Sequence, residues 1–349
     1  MKGSKPFGIF NLIALSLLVL VLIGISTLPM LKIEKRNNSV KHLESDNNMQ
    51  AIIEVWNVDT FSGGNISKTD YLNKVARLFE NANKGLYINV RNMSVDEFVL
   101  AKESGKLPSV ISFGYGVGSV VRDLLTPLNN VPLGMNAEVK NSGIAENTQL
   151  AVGYAMGGYA YFSTSEKLSE ASNNNDITFS KDFVNCGFNK TLRKSTKHIY
   201  GLAYGKNSYI SPMKCLAVEN SSEILESPDD YNAYIDFISL NKATILLGTQ
   251  RDLVKLKGKL DRGAIQDLLI EPVASYNDLI QYVGVVKGNN EQFDKLAKLF
   301  IETLLCESSQ KLLSESGLFS TTIPHLYADS YFSLIEDAVW SCKNIPKVF

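Results

Sequence analysis

Ala51-Ile52-Ile53-Glu54-Val55-Trp56 opens the part of the chain that decides the fold, together with residues 67–83 and 86–91 that follow it. Residues 51–56 are apolar and rich in β-branched side chains, which predicts a strand. In residues 67–83, Leu72, Val75, Ala76 and Phe79 recur at the spacing of a helix with one buried face. Ser67, with Asp70 three positions on, has the pattern of a capping box, and Gly85 stands where a left-handed residue closes a helix. The plan repeats: a strand at 86–91, a helix at 94–104 with Ser94 and Glu97 at its start and Gly105 at its end, a strand at 109–113 and a helix at 117–125. Strands alternating with helices predict a parallel sheet, and such a sheet binds small ligands beyond the carboxyl ends of its strands.

The strand ends are therefore the candidate site. The first continues as Trp56-Asn57-Val58-Asp59-Thr60-Phe61-Ser62-Gly63-Gly64, and the third as Gly114-Tyr115-Gly116-Val117-Gly118-Ser119. The second run is not a dinucleotide-binding motif, because Ser119 replaces its last glycine and it follows the third strand instead of the first. Its small residues predict either close approach of a ligand to backbone N–H groups at a helix start, or a turn that needs glycine for its dihedrals.

Further along, residues 153–162 are small and aromatic and read as a strand passing from one lobe to another. A helix is expected at 231–240 and an apolar strand at 243–247. Gly248-Thr249-Gln250-Arg251-Asp252 then opens a helix to about residue 259. Residues 271–286 bring a strand back, and 290–316 read as one long amphipathic helix with Phe293, Leu296, Ala297, Phe300, Ile301 and Leu304 on its core stripe. Arg251, Lys255, Lys257, Lys259 and Arg262 read as a solvated helix face.

The order of these motifs resembles the extracellular solute-binding proteins of ABC importers, of the sugar-binding type related to maltose-binding protein. It rests on Ile53-Glu54-Val55-Trp56, on Tyr71-Leu72-Asn73-Lys74 with Phe79-Glu80, and on residues 105–113. Residues 124–128, the 157–162 crossover and Leu247-Gly248-Thr249-Gln250-Arg251-Asp252 complete it. Two departures stand out: Ser109 occupies a position where the family usually has Asp, and no lipid-anchor cysteine is present. The resemblance implies an α/β fold of two periplasmic-binding-protein-like lobes (type II) hinged over a ligand. Lobe 1 would comprise 51–157 with about 277–318, and lobe 2 would comprise 158–276 with about 319–349. Trp56, Asp59, Phe61, Phe113 and Tyr115 would face the ligand from lobe 1, Gln250 and Arg251 from lobe 2, and Tyr154, Tyr159 and Tyr276 from near the crossings. Aromatic rings stack on sugar faces, while Asp, Gln and Arg bond hydroxyls. No catalytic residue, metal ligand or cofactor is implied. The implied partners are a small solute, a carbohydrate foremost, and the permease of an ABC transporter.

The remaining features bound this reading. Net charge is −1, so no basic field attracts nucleic acid. Residues 7–31 are uncharged and rich in Leu, Ile and Val, long enough for a membrane-spanning helix. Residues 1–32 are read as an anchor or signal, and 33–50 as a polar, flexible tether. Lys32, Lys35, Arg36 and Lys41 follow the apolar run and by the loop-charge rule favour a cytoplasmic C-terminus. The fold argues the opposite, an anchored domain on the extracellular face of the cell membrane. Cys186, Cys215, Cys306 and Cys342 have no metal-ligand spacing and read as free thiols, with a Cys186–Cys215 bridge as the alternative. His42, His198 and His325 are isolated. A ligand sensor for a membrane kinase shares this fold, and a hydrolase or transferase on a two-lobed frame is the enzymatic alternative.

Overall fold

The computed structural model of the chain describes residues 50–129, 131–172, 192–194, 197–206, 224–288 and 290–349. The apolar segment 7–31, its tether up to residue 49, the surface loop expected at 173–176, His42, Cys186 and Cys215 lie outside the described residues. Among the described residues no helix is long and apolar enough to cross a membrane.

β1 (Ala51–Val58) pairs in parallel with β2 (Leu86–Met93) on one side and β3 (Val110–Gly114) on the other. The crossovers are α1 (Lys68–Ala82) and α2 (Val95–Glu103), and both begin with the capping boxes expected at Ser67/Asp70 and Ser94/Glu97. Gly85 and Gly105 have positive φ, as their positions after the helices require. Period-2 alternation sends the two faces of β1 to different cores. Ile53 and Val55 join Leu72, Val75 and Phe79 of α1, while Trp56 and Val58 join Phe98 of α2. The helix expected at 117–125 is shorter, with α3 (Gly118–Val121) passing into a 3-10 turn at Arg122–Leu124.

α4 (Ala137–Ser142) and a short hairpin of β4 (Ile144–Ala145) and β5 (Thr148–Gln149) lead into β6 (Val152–Met156). Residues 153–162 then cross between sheets as expected, but as two strands and not one: β6 and β7 (Tyr159–Ser163) belong to different sheets and are separated by Gly157 and Gly158. The second sheet follows with α5 (Ser165–Ser172), β8 (Leu192–Lys194), β9 (Lys197–Gly205), β10 (Ile224–Ser227), α6 (Asp230–Ile238), β11 (Ala243–Thr249), α7 (Gln250–Asp261) and β12 (Leu269–Pro272). The chain returns through β13 (Ile280–Val285), which pairs antiparallel with β3 and β6. The strand orders are β14-β6-β13-β3-β1-β2 and β10-β9-β11-β7-β12, with β8 against β9.

Three expectations are corrected here. Residues 271–286 are not one strand but β12 and β13, in different sheets, joined by a second crossing. The helix at 290–316 is broken into α8 (Glu291–Leu304), α9 (Glu307–Lys311) and α10 (Leu313–Ser316), with Cys306 extended at the break. The buried Gln310 amide stabilises the break: it donates to Leu304 O and Tyr154 O and accepts from Ser320 Oγ and Thr321 N. Finally, the basic run on α7 is not simply solvated. Arg251 pairs with Asp230, Lys257 with Asp261 and Asp329, and the Lys255 ammonium lies 5.0 Å from the Tyr234 ring centroid. Cys306 and Cys342 are free thiols.

The C-terminal segment serves both sheets. β14 (Phe319–Ser320) pairs with β6 of the first sheet, whereas α11 (Ser330–Ser341) packs on β12 and α7 beside the second. Residues 348–349 return to the first: the Phe349 ring lies 6.2 Å from that of Phe113, and Val348 O lies where a Cβ on Gly118 would be.

Candidate functional site

The carboxyl ends of the first sheet and the start of α7 meet at the crossings. Gln250, fully buried at the first residue of α7, is the joint. Its backbone N–H donates to Gly158 O at 3.0 Å, its Oε1 accepts from Gly158 N at 2.9 Å, and its Nε2 donates to Ser62 O at 2.9 Å and Gly63 O at 3.1 Å. One amide thus ties the second-sheet helix to the first crossing and to the loop after β1. Gly157 leaves room for it, since a Cβ there would lie 2.7 Å from Gln250 Oε1. Asn277 in the second crossing donates to Gly157 O at 3.0 Å, which ties the two crossings together.

Beside this joint, Tyr159 OH donates to Asp278 Oδ1 at 2.7 Å, and Tyr276 OH reaches Asp278 Oδ2 at 3.5 Å. Burial raises the Asp278 pKa to about 6, against the lowering effect of the Tyr159 bond. Burial, and then the Asp278 charge, push the Tyr159 phenol up. Phe61, from the loop after β1, packs partly buried against two apolar clusters, one under the first sheet and one around Tyr159, Leu247 and Val273 of the second, where Tyr276 also packs.

The loop carrying Phe61 is held from below by Lys68, whose ammonium donates to Phe61 O, lies 3.7 Å from the Phe61 ring centroid and 3.2 Å from Asp59 Oδ1. Beneath the strand ends lies a buried polar network. Gln281 Nε2 donates to Asn57 Oδ1, Val58 O and Ser112 Oγ, and Ser112 Oγ meets Tyr154 OH at 3.1 Å. Across the joint, Arg251 pairs with Asp230 at 3.9 Å, and its Cα lies 3.6 Å from the place of a Cβ on Gly64. Burial raises Asp230, opposed by the Arg251 charge. Among the described residues no group of three or more His, Cys, Asp or Glu is placed to hold a metal ion.

Of the residues expected to face a ligand, Asp59, Phe61, Tyr115, Arg251 and Tyr276 keep partly exposed positions at these strand and helix ends. Trp56, Phe113 and Tyr154 do not. Trp56 packs edge-on against Phe98, Phe113 stacks on Tyr282, and Tyr154 stacks on Tyr71 at 5.9 Å. All three are core residues, because helices or the C-terminal residues cover the faces on which their rings lie. Gln250 spends its amide on the joint. The ligand approach expected at the start of 117–125 is also corrected: Val348 O packs against Gly118 there, and Gly116 serves a positive φ.

The sequence reading missed Lys68, Asp278 and the Asn57–Ser112–Gln281 network. Lys68 had a legible signal, since it stands four residues before Leu72, on the apolar stripe, where a lysine must find a partner. Asp278 had one too, as a carboxylate between two apolar strands beside Tyr276 and Asn277.

No protein-family profile and no curated protein matches the sequence. Solved structures do match. The GacH receptor of Streptomyces glaucescens, solved unliganded and with acarbose, is 15% identical with a TM-score of 0.60, over 86% of this chain and 88% of that one. The sugar-binding protein MalE of Xanthomonas citri is 12% identical with a TM-score of 0.61, again over 86% and 88%. The IdiA (FutA) protein of Trichodesmium, in complex with iron and citrate, is 16% identical with a TM-score of 0.56, over 85% and 94%. At this identity the likeness establishes the architecture: the chain has the two-lobed α/β fold of these binding proteins.

Proposed function

We infer that this protein is a non-catalytic binding protein that captures a small solute, a carbohydrate, where its lobes meet, and delivers it to the permease of an ABC importer. The observation that carries the reading is the pair of partly exposed rings, Phe61 and Tyr276, on one cluster at the crossings, with Asp59 beside Phe61 and Asp278 beside Tyr276. Flat rings flanked by acceptors suit a sugar, whose C–H faces stack and whose hydroxyls donate. The names of the structural neighbours support it, since they bind acarbose, maltotriose or mannobiose. The ligand-facing set is proposed as Asp59, Phe61, Tyr115, Tyr276 and Arg251, with closure about the crossings at 157–158 and 273–279. Residues 7–31 are proposed to anchor the protein at the extracellular face of the membrane.

An iron-binding reading, suggested by one neighbour, is disfavoured by the phenols. Tyr159 OH already donates to Asp278, and burial raises the cost of ionising it to a metal-binding phenolate.

The test is thermal unfolding of the full-length chain, in a detergent without a sugar headgroup, against mono- and oligosaccharides, polyols, peptides, phosphate and ferric citrate. A solute at 100 times its Kd stabilises by about 2.7 kcal/mol, which is roughly 5–10 °C. Shifts confined to sugars support the reading. A shift with ferric citrate alone, or release of product from any sugar, overturns it. Sedimentation of the full chain with membranes after alkaline extraction, and its loss when residues 1–32 are removed, checks the anchor.

A further inference from the structure

Lys68 is the only fully buried lysine or arginine among the described residues, with a side chain 1% exposed. Its stem continues the buried stripe of α1, four positions before Leu72. Its ammonium ends beneath the loop after β1 and touches that loop three times: at the Phe61 carbonyl, at the Phe61 ring and at Asp59 Oδ1. Asp59 Oδ1 is itself buried, and the Lys68 ammonium 3.2 Å away is the charge that faces it. The Asp59 side chain as a whole is 32% exposed, and that exposure lies on atoms other than Oδ1. Between them Thr60 sits tight over Gly114.

A buried ammonium is a costly way to fill a stripe position, because desolvation opposes its charge and an apolar side chain of similar volume often stabilises more. The loop it holds carries two of the five proposed ligand-facing residues. Resting on the carbohydrate-binding reading above, we propose that Lys68 is a positioning and specificity-determining residue. It orients Asp59 and Phe61, and it cancels the Asp59 charge, so that the site offers a hydrogen-bond acceptor without net charge and selects neutral sugars over amine-bearing ones. A sugar hydroxyl can donate to the outer edge of Asp59 at no electrostatic cost. A sugar ammonium placed there loses its hydration for an attraction that the positive charge behind the carboxylate has weakened.

Two experiments test this on the full-length chain in the same detergent. The first measures, by titration calorimetry, two pairs of probes that differ at the 2-position: glucose with glucosamine, and cellotriose with the glucosamine trimer. Wild type is expected to prefer the neutral member of each pair at least tenfold. Lys68→Met is expected to lose that preference or reverse it, and Lys68→Met/Asp59→Asn to regain it. The regained preference separates charge cancellation from mere loss of packing, because the double variant restores the balance without restoring the lysine. An unchanged preference in Lys68→Met overturns the proposal.

The second needs no sugar. Lys68→Ala is unfolded thermally in ethylammonium chloride and in equal sodium chloride. Ethylammonium is expected to raise Tm above the sodium value by several degrees in Lys68→Ala but not in Lys68→Ala/Asp59→Asn. Equal Tm in the two salts for Lys68→Ala overturns the charge-cancelling role, whatever the sugars do. Rescue by ethylammonium with no binding of any of the four sugars supports the Lys68–Asp59 pairing and counts against the carbohydrate reading alone.

Discussion

Thr60 stands over the end of β3 with no room to spare: a Cβ added at Gly114 would lie 1.7 Å from its Oγ1 and 2.9 Å from its own Cβ. Threonine is stiff at χ1 and cannot swing clear. Gly114→Ala is therefore expected to push the loop carrying Asp59 and Phe61 off the strand end. The expected cost is about 1–3 kcal/mol of stability and at least tenfold in affinity for any sugar that shifts the wild type, read by denaturant unfolding and calorimetry. Unchanged affinity would mean that this loop does not hold the solute. At the residue scale, the partly exposed positions of Asp59 and Phe61 were legible because they follow a strand end. Trp56, Phe113 and Tyr154 were misread for a physical reason. An aromatic near a strand end points to a ligand or to a covering helix according to which face is covered, and the coverings here, such as Phe98, Tyr71 and Phe349, are distant in sequence.

At the scale of elements, the helix stripes were the strongest signal, and α8 packs as its periodicity indicated. Phe300 is fully buried and meets the Phe79 ring edge-on at 5.7 Å. Phe300→Ala is expected to cost about 3–5 kcal/mol through the cavity left between α1 and α8, measured by denaturant unfolding with an unchanged slope. A neutral result would mean that the two helices do not pack here. The end of α8 was not legible. Residues 290–316 keep a helical pattern through Cys306, and the break depends on the Gln310 amide bonding to Tyr154 O, 156 positions away, and to the Ser320–Thr321 turn. Capping boxes were legible because both halves of each bond lie within four residues of one another.

At the scale of the whole molecule, the lobes are joined by buried polar groups with measurable consequences. Gln250→Ala removes the acceptor of the Gly158 amide and the donor to Ser62 O and Gly63 O. It is expected to speed hydrogen exchange at Gly158 at least tenfold relative to amides in β1. Equal exchange would show that the joint does not depend on this side chain. Two buried carboxylates make stability depend on pH. Burial raises both Asp252 and Asp278 from 3.8 to about 6. In the window between those values the folded chain binds more protons than the unfolded chain, so stability falls as pH rises through it. Each group contributes roughly 3 kcal/mol to that fall. Asp278→Asn is expected to leave Tm near its wild-type value at pH 4 and to raise it by about 5–10 °C at pH 7.5. A lower Tm at pH 7.5 would show that the charged carboxylate stabilises the crossing.

What the sequence determined by itself was the alternation of the first three strands with their helices, the parallel pairing of those strands and the crossing between sheets. Each is written in hydrophobic period, capping residues and glycine positions, which act over a few neighbouring residues. Tertiary structure alone decided which polar side chains brace the fold. Gln250 was assigned to a ligand and instead joins the lobes through carbonyls 188 and 187 positions away. Lys68, on an apolar stripe, became the support of Asp59 and Phe61. A buried polar group must be satisfied by whatever the fold brings beside it, and that neighbour is set by the packing of distant segments, not by the residues on either side.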